Sequence, residues 1–84
     1  MTADEFTDAI LDLRGTFSFS ITSWIRSEAR NKKVGGAARS HHLDGTAVDL
    51  VLDDKTQAPA LIAAAAALGI NAIDEKDHLH LQPL

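Results

Sequence analysis

The sequence has 84 residues, the length of one small domain, and we expect residues 1–84 to form a single unit. The formal net charge of −4 and the sequence pI of about 5.3 argue against DNA or RNA as a partner. There is no cysteine, so disulfides cannot support the small core, and any metal must be bound by His, Asp or Glu.

No apolar stretch approaches the ~20 residues that a membrane-spanning helix needs. Residues 1–5 are acidic and lead into an amphipathic pattern, so they do not resemble a signal peptide. We therefore expect a monomer that is made in the cytoplasm, has no membrane partner and needs outside help for any export.

The first part of the chain predicts one helix followed by one strand. Thr2 and Glu5 have the spacing of a capping box, and the apolar residues behind them recur at helical spacing, which predicts a helix near residues 3–13. Gly15 is expected to end that helix. Residues 17–25 then alternate between apolar and polar side chains, which is typical of a half-buried strand.

The middle of the chain predicts a loop, a strand and a helix. Residues 26–42 show no clear period and hold most of the basic residues, so they are expected to form a loop. Residues 47–52 predict a second strand. Pro59 in a first turn and Gly69 after the last apolar residue then bracket a second helix.

The end of the chain predicts a hairpin, with short strands over residues 70–73 and 78–81 and a charged turn between them. Two helices and three or four strands in this order indicate an α+β fold. We expect a small antiparallel sheet with helices packed on one face.

Three polar side chains are predicted to share the other face of that sheet. Side chains two apart on a strand point the same way. If Val48 and Leu79 face the helices, then Asp49, His78 and His80 face outward, and strand pairing brings one carboxylate and two imidazoles together. Zn²⁺ binds such groups at about 2.0–2.2 Å, and a catalytic zinc keeps three protein ligands and a water. The geometry alone also allows a second interpretation, in which this face is simply exposed to solvent and its histidines have no function.

Two motifs carry a family resemblance. The segment from Ser40 to Asp49, SHHLDGTAVD, has every fixed position of the pattern S-x-H-x-x-G-x-A-x-D, and the segment from Asp77 to His80, DHLH, has the pattern [D/E]-x-x-H. On these motifs the chain resembles the zinc peptidases of the D-Ala-D-Ala carboxypeptidase and L-alanyl-D-glutamate endopeptidase family. That family shares its zinc-site plan with the hedgehog domain and the lysostaphin group. The resemblance covers roughly residues 20–82.

The resemblance implies a set of site residues. The zinc ligands would be His42, Asp49 and His80, the catalytic base would be Asp77, and His78 would help to stabilise the oxyanion. His80 is preferred as the third ligand because it follows Asp77 by three residues, and because related sites with H-x-H use the second histidine.

A competing register fits the same motif, since Glu75 and His78 also have the spacing [D/E]-x-x-H. Other positions are assigned smaller roles. Arg26 is implied to hold a substrate carboxylate, and Ser40 is expected to organise its loop and then contact substrate. Gly45 is expected to serve backbone geometry, and Trp24 lies either on the cleft wall or at the edge of the core.

The implied function is a zinc-dependent peptidase that cleaves peptidoglycan stem peptides. An acidic base that is Asp rather than Glu, at position 77, resembles phage endolysin-type L-alanyl-D-glutamate endopeptidases more than D-Ala-D-Ala carboxypeptidases. Such an enzyme is expected to reach the cell wall or periplasm by phage-type release. The alternative from another class is a non-catalytic zinc module that binds the cell wall or belongs to a virion; a base at Asp77 favours catalysis over it.

Overall fold

The computed structural model describes residues 1–24 and 45–84. The loop predicted over residues 26–42 lies outside these ranges. Three predicted site residues also lie outside the described residues, namely Arg26, Ser40 and His42.

The described elements follow one another along the chain with short connections. They are helix α1 (Ala3–Thr16), strand β1 (Phe19–Ser23), strand β2 (Val48–Leu52), a 3₁₀ turn (Lys55–Gln57), helix α2 (Ala58–Ala67), strand β3 (Ile70–Asp74) and strand β4 (Leu79–Pro83).

Helix α1 begins at the predicted capping box. The hydroxyl of Thr2 accepts the backbone N–H of Glu5 at 3.1 Å, and the Glu5 carboxylate accepts the backbone N–H of Thr2 at 2.9 Å. This exchange satisfies two donors that a helix N-terminus leaves free. The apolar stripe behind the box is buried at Phe6, Ile10 and Leu13.

The predicted end of α1 at Gly15 is wrong, because the helix continues to Thr16. No atom lies within 4 Å of the place where a Cβ on Gly15 would stand. The glycine therefore sits on an open side of the last turn, where its cost of roughly 1 kcal/mol is tolerated. The helix ends where Phe17 takes an extended backbone and buries its ring, while its N–H donates to the Leu13 carbonyl at 2.8 Å.

The described strands form one antiparallel sheet in the order β1-β2-β4-β3. The strands predicted over residues 47–52, 70–73 and 78–81 are confirmed, with ends shifted by one or two residues. The strand predicted over residues 17–25 is shorter, at Phe19–Ser23.

One face of the sheet and both helices enclose a single apolar core. Burying one large apolar side chain of this kind contributes about 1.5–3 kcal/mol. The largest fully buried side chains come from α1, α2 and three strands, and they are Phe6, Ile10, Val48, Leu50, Leu61, Ile70 and Leu81. The predicted α+β architecture, with helices on one face of a small antiparallel sheet, is therefore confirmed.

Helix α2 is bracketed as predicted. Pro59 lies in its first turn, and Gly69 follows the C-cap residue Leu68 with a φ of +83°, a conformation that favours glycine. The helix buries Leu61 and Ala65 against the core. Of the helices that the structure describes, neither is long and apolar enough to cross a membrane.

Candidate active site

The centre of the site is a pair of side chains on the two inner strands. Asp49 of β2 and His80 of β4 are direct partners in the antiparallel register, and Asp49 Oδ1 lies 2.8 Å from His80 Nδ1. The flanking residues Val48, Leu50 and Leu81 are fully buried in the core. Because alternate side chains of a strand point to opposite faces, this burial directs Asp49 and His80 to the face away from the helices.

Asp49 is nearly buried, with 9% of its surface exposed. A carboxylate removed from water in this way is costly unless polar groups contact it. The His80 ring is one such contact, and the His78 ring is another, with Nε2 3.9 Å from Asp49 Oδ1. Two imidazole rings therefore lie near the Asp49 carboxylate on this face of the sheet.

Strand β1 is irregular beside Asp49. The register shifts between Ile21, which is opposite Leu50, and Ser23, which is opposite Asp49. The hydroxyl of the intervening Thr22 donates to the backbone carbonyl of Asp49 at 3.3 Å. Bulges of this type bend a strand and redirect side chains next to active sites.

His78 lies just before β4 and has a carboxylate near each ring nitrogen. Its Nδ1 is 2.7 Å from Asp77 Oδ1, while its Nε2 is 3.9 Å from Glu75 Oε1 and equally far from Asp49 Oδ1. The Asp77 side chain is 87% exposed and the Glu75 side chain 47%. Both predicted candidates for the catalytic base are therefore on the rim of the site, on different sides of one imidazole.

The charges of this group shift two pKa values. Burial alone lowers the pKa of His78, but the hydrogen bond with Asp77 and the negative charges of Asp49, Asp77 and Glu75 outweigh it and raise the pKa above 6.5. The hydrogen bond with His78 is the main cause that lowers the pKa of Asp77 below 3.8. The pair therefore favours an ionised Asp77 carboxylate beside a His78 ring whose protonated form is stabilised.

The turn between β3 and β4 fixes the position of these rim residues. Lys76 has a φ of +75°, and its backbone N–H donates to the Asp74 carboxylate at 2.9 Å. The backbone N–H of Glu75 donates to the His78 carbonyl, also at 2.9 Å. The short turn thus holds the Glu75 and Asp77 carboxylates beside the His78 ring.

A shallow cleft runs beside this turn. It joins apolar side chains from the helix-facing side of the sheet to charged side chains of the turn, and Asp49 and His80 are not among its lining residues. Its lining includes Leu50, Leu52, Lys55, Ala58, Lys76, Asp77, His78 and Leu79.

Gln82 completes the row of polar side chains on this face, and the sequence interpretation missed it. Its Oε1 lies 2.9 Å from His80 Nε2. The signal was present, since Gln82 is two residues beyond His80 on the same strand and therefore shares its face.

Two other predictions concern the neighbourhood of β2. Gly45 has a φ of +74°, so its expected role in backbone geometry is confirmed. Trp24 packs against the apolar core, and its ring N–H donates to the Gly45 carbonyl at 3.2 Å. Of the two places expected for Trp24, the structure therefore supports the edge of the core.

Asp49 and His80 supply part of the ligand set that a zinc site requires. Within residues 1–24 and 45–84, no group of three or more His, Asp or Glu side chains is arranged to hold a metal ion. Asp49 and His80 do present a carboxylate oxygen and an imidazole nitrogen to each other, which are ligand types that Zn²⁺ prefers. The third predicted ligand, His42, lies outside the described residues, so the pair fits two thirds of the predicted set.

Comparisons with known proteins give a consistent answer over almost the whole chain. The family model described as Peptidase M15 matches residues 2–82. Among solved structures, the chain is similar to the L-Ala D-Glu endopeptidase ChiX of Serratia marcescens, with 28% identity and a TM-score of 0.67. That similarity covers 99% of this chain and 80% of the ChiX chain. No curated protein sequence matches this one.

Proposed function

Since the chain belongs to the Peptidase M15 family, we propose that it is a zinc-dependent peptidase that cleaves stem peptides of peptidoglycan. We propose further that it cuts the bond between L-alanine and D-glutamate. The Asp49–His80 pair on the open face of the sheet carries this proposal, because this nearly buried carboxylate and the imidazole facing it supply two of the three predicted metal ligands. The similarity to the ChiX endopeptidase supports the choice of bond.

The metal would be held by His42, Asp49 and His80. When bound, Zn²⁺ lowers the pKa of a water molecule toward ~7 and polarises a carbonyl group. The distances favour His80 over His78 as the third ligand, since the His80 ring is 2.8 Å from Asp49 and the His78 ring is 3.9 Å away.

Asp77 is proposed to take the proton of the attacking water and to deliver it to the leaving amine. Its exposed carboxylate is ionised at neutral pH and is oriented by the hydrogen bond with His78. This hydrogen bond also makes Asp77 a weaker base than a free aspartate. Glu75 is the competing base. Its carboxylate lies near Nε2 of His78, the ring nitrogen that also faces Asp49. The activities of Asp77 and Glu75 variants distinguish the two candidates.

His78 is proposed to stabilise the negative charge that develops on the carbonyl oxygen. Its raised pKa favours the protonated ring, which can donate a hydrogen bond, and donors fixed beside the reacting carbonyl are a large source of rate enhancement. Asp77 and Glu75 keep the ring in place through contacts at its two nitrogens.

The reaction is tested by digestion of purified peptidoglycan with zinc-loaded protein, followed by mass spectrometry of the released peptides. New amino-terminal D-glutamate is expected, and it disappears with a chelator and returns with added zinc. Release of terminal D-alanine instead would identify a D-Ala-D-Ala carboxypeptidase. Binding to the wall without any new amine would identify the non-catalytic zinc module and contradict the proposal.

A phage-type lysis role is proposed for this activity, with action at the cell wall after release from the cytoplasm. The Asp at position 77 is the sequence feature that supports this role. Expression in a bacterial host with and without a membrane-permeabilising holin tests it. Lysis is expected only when the holin is present, and lysis without the holin would contradict this route.

A further inference from the structure

The Asp49–His80 pair has a different neighbour on each side of it across the sheet. On the β1 side, Ser23 is opposite Asp49. On the β3 side, Ile73 is opposite His80. Directly opposed residues of an antiparallel pair have their side chains on the same face, with Cβ atoms about 4.5–5.5 Å apart. The pair therefore has a polar neighbour on the β1 side and an apolar neighbour on the β3 side.

Ile73 is apolar and exposed although it lies on the open face of the sheet. Its neighbours Ile70 and Ala72 are buried in the core, so the pleat of β3 directs Ile73 to the open face. Ile73 is 40% exposed and is the only strand residue among the exposed large apolar residues of the described ranges, which are Met1, Leu11, Ile73 and Leu84. A single exposed apolar side chain is common on protein surfaces. This one, however, stands directly beside His80.

The β3 side is also acidic. Residues 74–77, which follow Ile73, carry three carboxylates and one ammonium group. One of these carboxylates, that of Glu75, lies 3.9 Å from the His78 ring. A substrate carboxylate on this side would be repelled by these charges and would lose water to the Ile73 side chain. A small apolar group of the substrate would instead gain free energy from contact with Ile73.

The two residues that flank the bond of the proposed function differ in the same way. L-alanine, on the amino side, has a methyl group as its side chain. D-glutamate, on the other side, keeps a free carboxylate. With the reacting carbonyl at the Asp49–His80 pair, a peptide that crosses the strands has one of these residues on each side of the pair. The methyl group matches the β3 side, and the carboxylate is then directed to the β1 side, where Thr22 and Ser23 are polar.

We propose that Ile73 contacts the methyl group of L-alanine and is a specificity-determining residue for the amino side of the cleaved bond. The substrate peptide then crosses the sheet with its amino side over β3. The inference rests on the proposed function, because it takes an L-alanyl-D-glutamate peptide as the substrate. One methylene group in an apolar pocket changes kcat/KM by about 10–200-fold. Because Ile73 is a single exposed contact, the effect is expected at the lower end of that range.

Specificity is measured as kcat/KM of zinc-loaded protein for an L-alanyl-D-glutamate stem peptide and for its glycyl-D-glutamate analogue. The wild type is expected to prefer the L-alanyl peptide. Ile73→Thr keeps a β-branched side chain but replaces an apolar arm with a hydroxyl group, so it should reduce this preference about 10-fold, with zinc content unchanged. Ile73→Val should keep most of the preference. Leu11→Ala removes another exposed apolar side chain, on α1, and should behave as the wild type does.

Contact is tested without turnover by methyl spectra of protein labelled at the isoleucine δ1 carbons. The ligand is a reduced-amide analogue of the L-alanyl peptide, in which the reacting carbonyl is replaced by a methylene group. The Ile73 signal is identified by its absence in Ile73→Val. It should shift when the analogue is added, while the signal of Ile10, which is buried in the core, should not.

Three results would overturn the proposal. They are an unchanged preference in Ile73→Thr, an equal loss of kcat/KM for both peptides, and an Ile73 signal that does not respond to the analogue. Zinc-loaded wild type that cleaves neither peptide would contradict the proposed function, and the Ile73 signal would then decide separately whether L-alanine contacts this residue. If Ile73→Thr does not fold, Ile73→Val and the wild-type methyl spectra still decide the question.

Discussion

The two faces of the β2–β4 pair differ completely in chemistry although they share the same ten residues of backbone. On one face Val48, Leu50 and Leu81 are fully buried under the helices. On the other, Asp49 and His80 contact each other through polar atoms. The apolar residues stabilise the fold, and they also set the spacing and direction of the polar residues between them. Changes on the two faces should therefore have separable effects.

The largest effect is expected on the polar face. His80→Ala should lose stoichiometric zinc and all measurable hydrolysis. His78→Ala should retain zinc and turn over about 10²–10³-fold more slowly, the loss typical of one oxyanion donor. Metal content by mass spectrometry and hydrolysis of a stem peptide measure both. Loss of zinc in His78→Ala but not in His80→Ala would establish the competing register.

The next effect concerns the rim of that face. Asp77→Asn should reduce kcat by about 10²–10⁴-fold, the range of general-base catalysis, with zinc content unchanged. Glu75→Gln is the matched control and should reduce kcat only slightly, although the Glu75 carboxylate also lies beside the His78 ring, at 3.9 Å. Steady-state kinetics with both variants decide between them. The reverse order would assign the base to Glu75.

On the apolar face, Leu81→Ala should leave the metal ligands intact but reduce the free energy of unfolding by about 2–5 kcal/mol, because it creates a cavity in the core. Leu81→Met conserves volume and should lose less than about 1.5 kcal/mol. Urea denaturation with a chelator present measures both. A small decrease in the free energy of unfolding of Leu81→Ala would mean that neighbouring side chains move in to fill the cavity. The effects of changes on the two faces would then be less separable than we expect.

The smallest effect lies far from both faces, at the capping box. The hydrogen bond with the backbone of Thr2 lowers the pKa of Glu5 below 4.5 in the folded protein. The contribution of Glu5 to stability is therefore complete above its unfolded pKa and is lost as the pH falls through the lower folded value. The melting temperature of Glu5→Gln should approach that of the wild type as the pH drops from neutral into this range. A difference that stays constant with pH would contradict this account.

Much of the fold was predictable because burial imposes a period of two on the strands. The positions of Val48, Leu50, Leu79 and Leu81 were sufficient to place Asp49 on the open face. The end of α1 was not predictable from Gly15, since the burial of Phe17 decides it. The tendency of Gly15 to end a helix has the smaller effect at this position.

The sequence predicted which residues belong to the candidate site better than it predicted which of them contact each other. Strand alternation placed His78 and His80 on one face, but only the antiparallel register shows that His80 is directly opposite Asp49. That register joins two strands that are far apart in the sequence, so neither motif specifies it. Gln82 was not predicted because it lies two residues beyond His80, the last position of the motif.

The order of strands in the sheet has a consequence for how the site is lost. Both β2 and β4 are interior strands, with β1 and β3 outside them, so fraying begins at the outer strands. The backbone amides of Asp49 and His80 should exchange with deuterium only when most of the domain opens. The Asp49–His80 contact should therefore persist until the domain unfolds. On heating, the contact and the fold should be lost together in one cooperative transition.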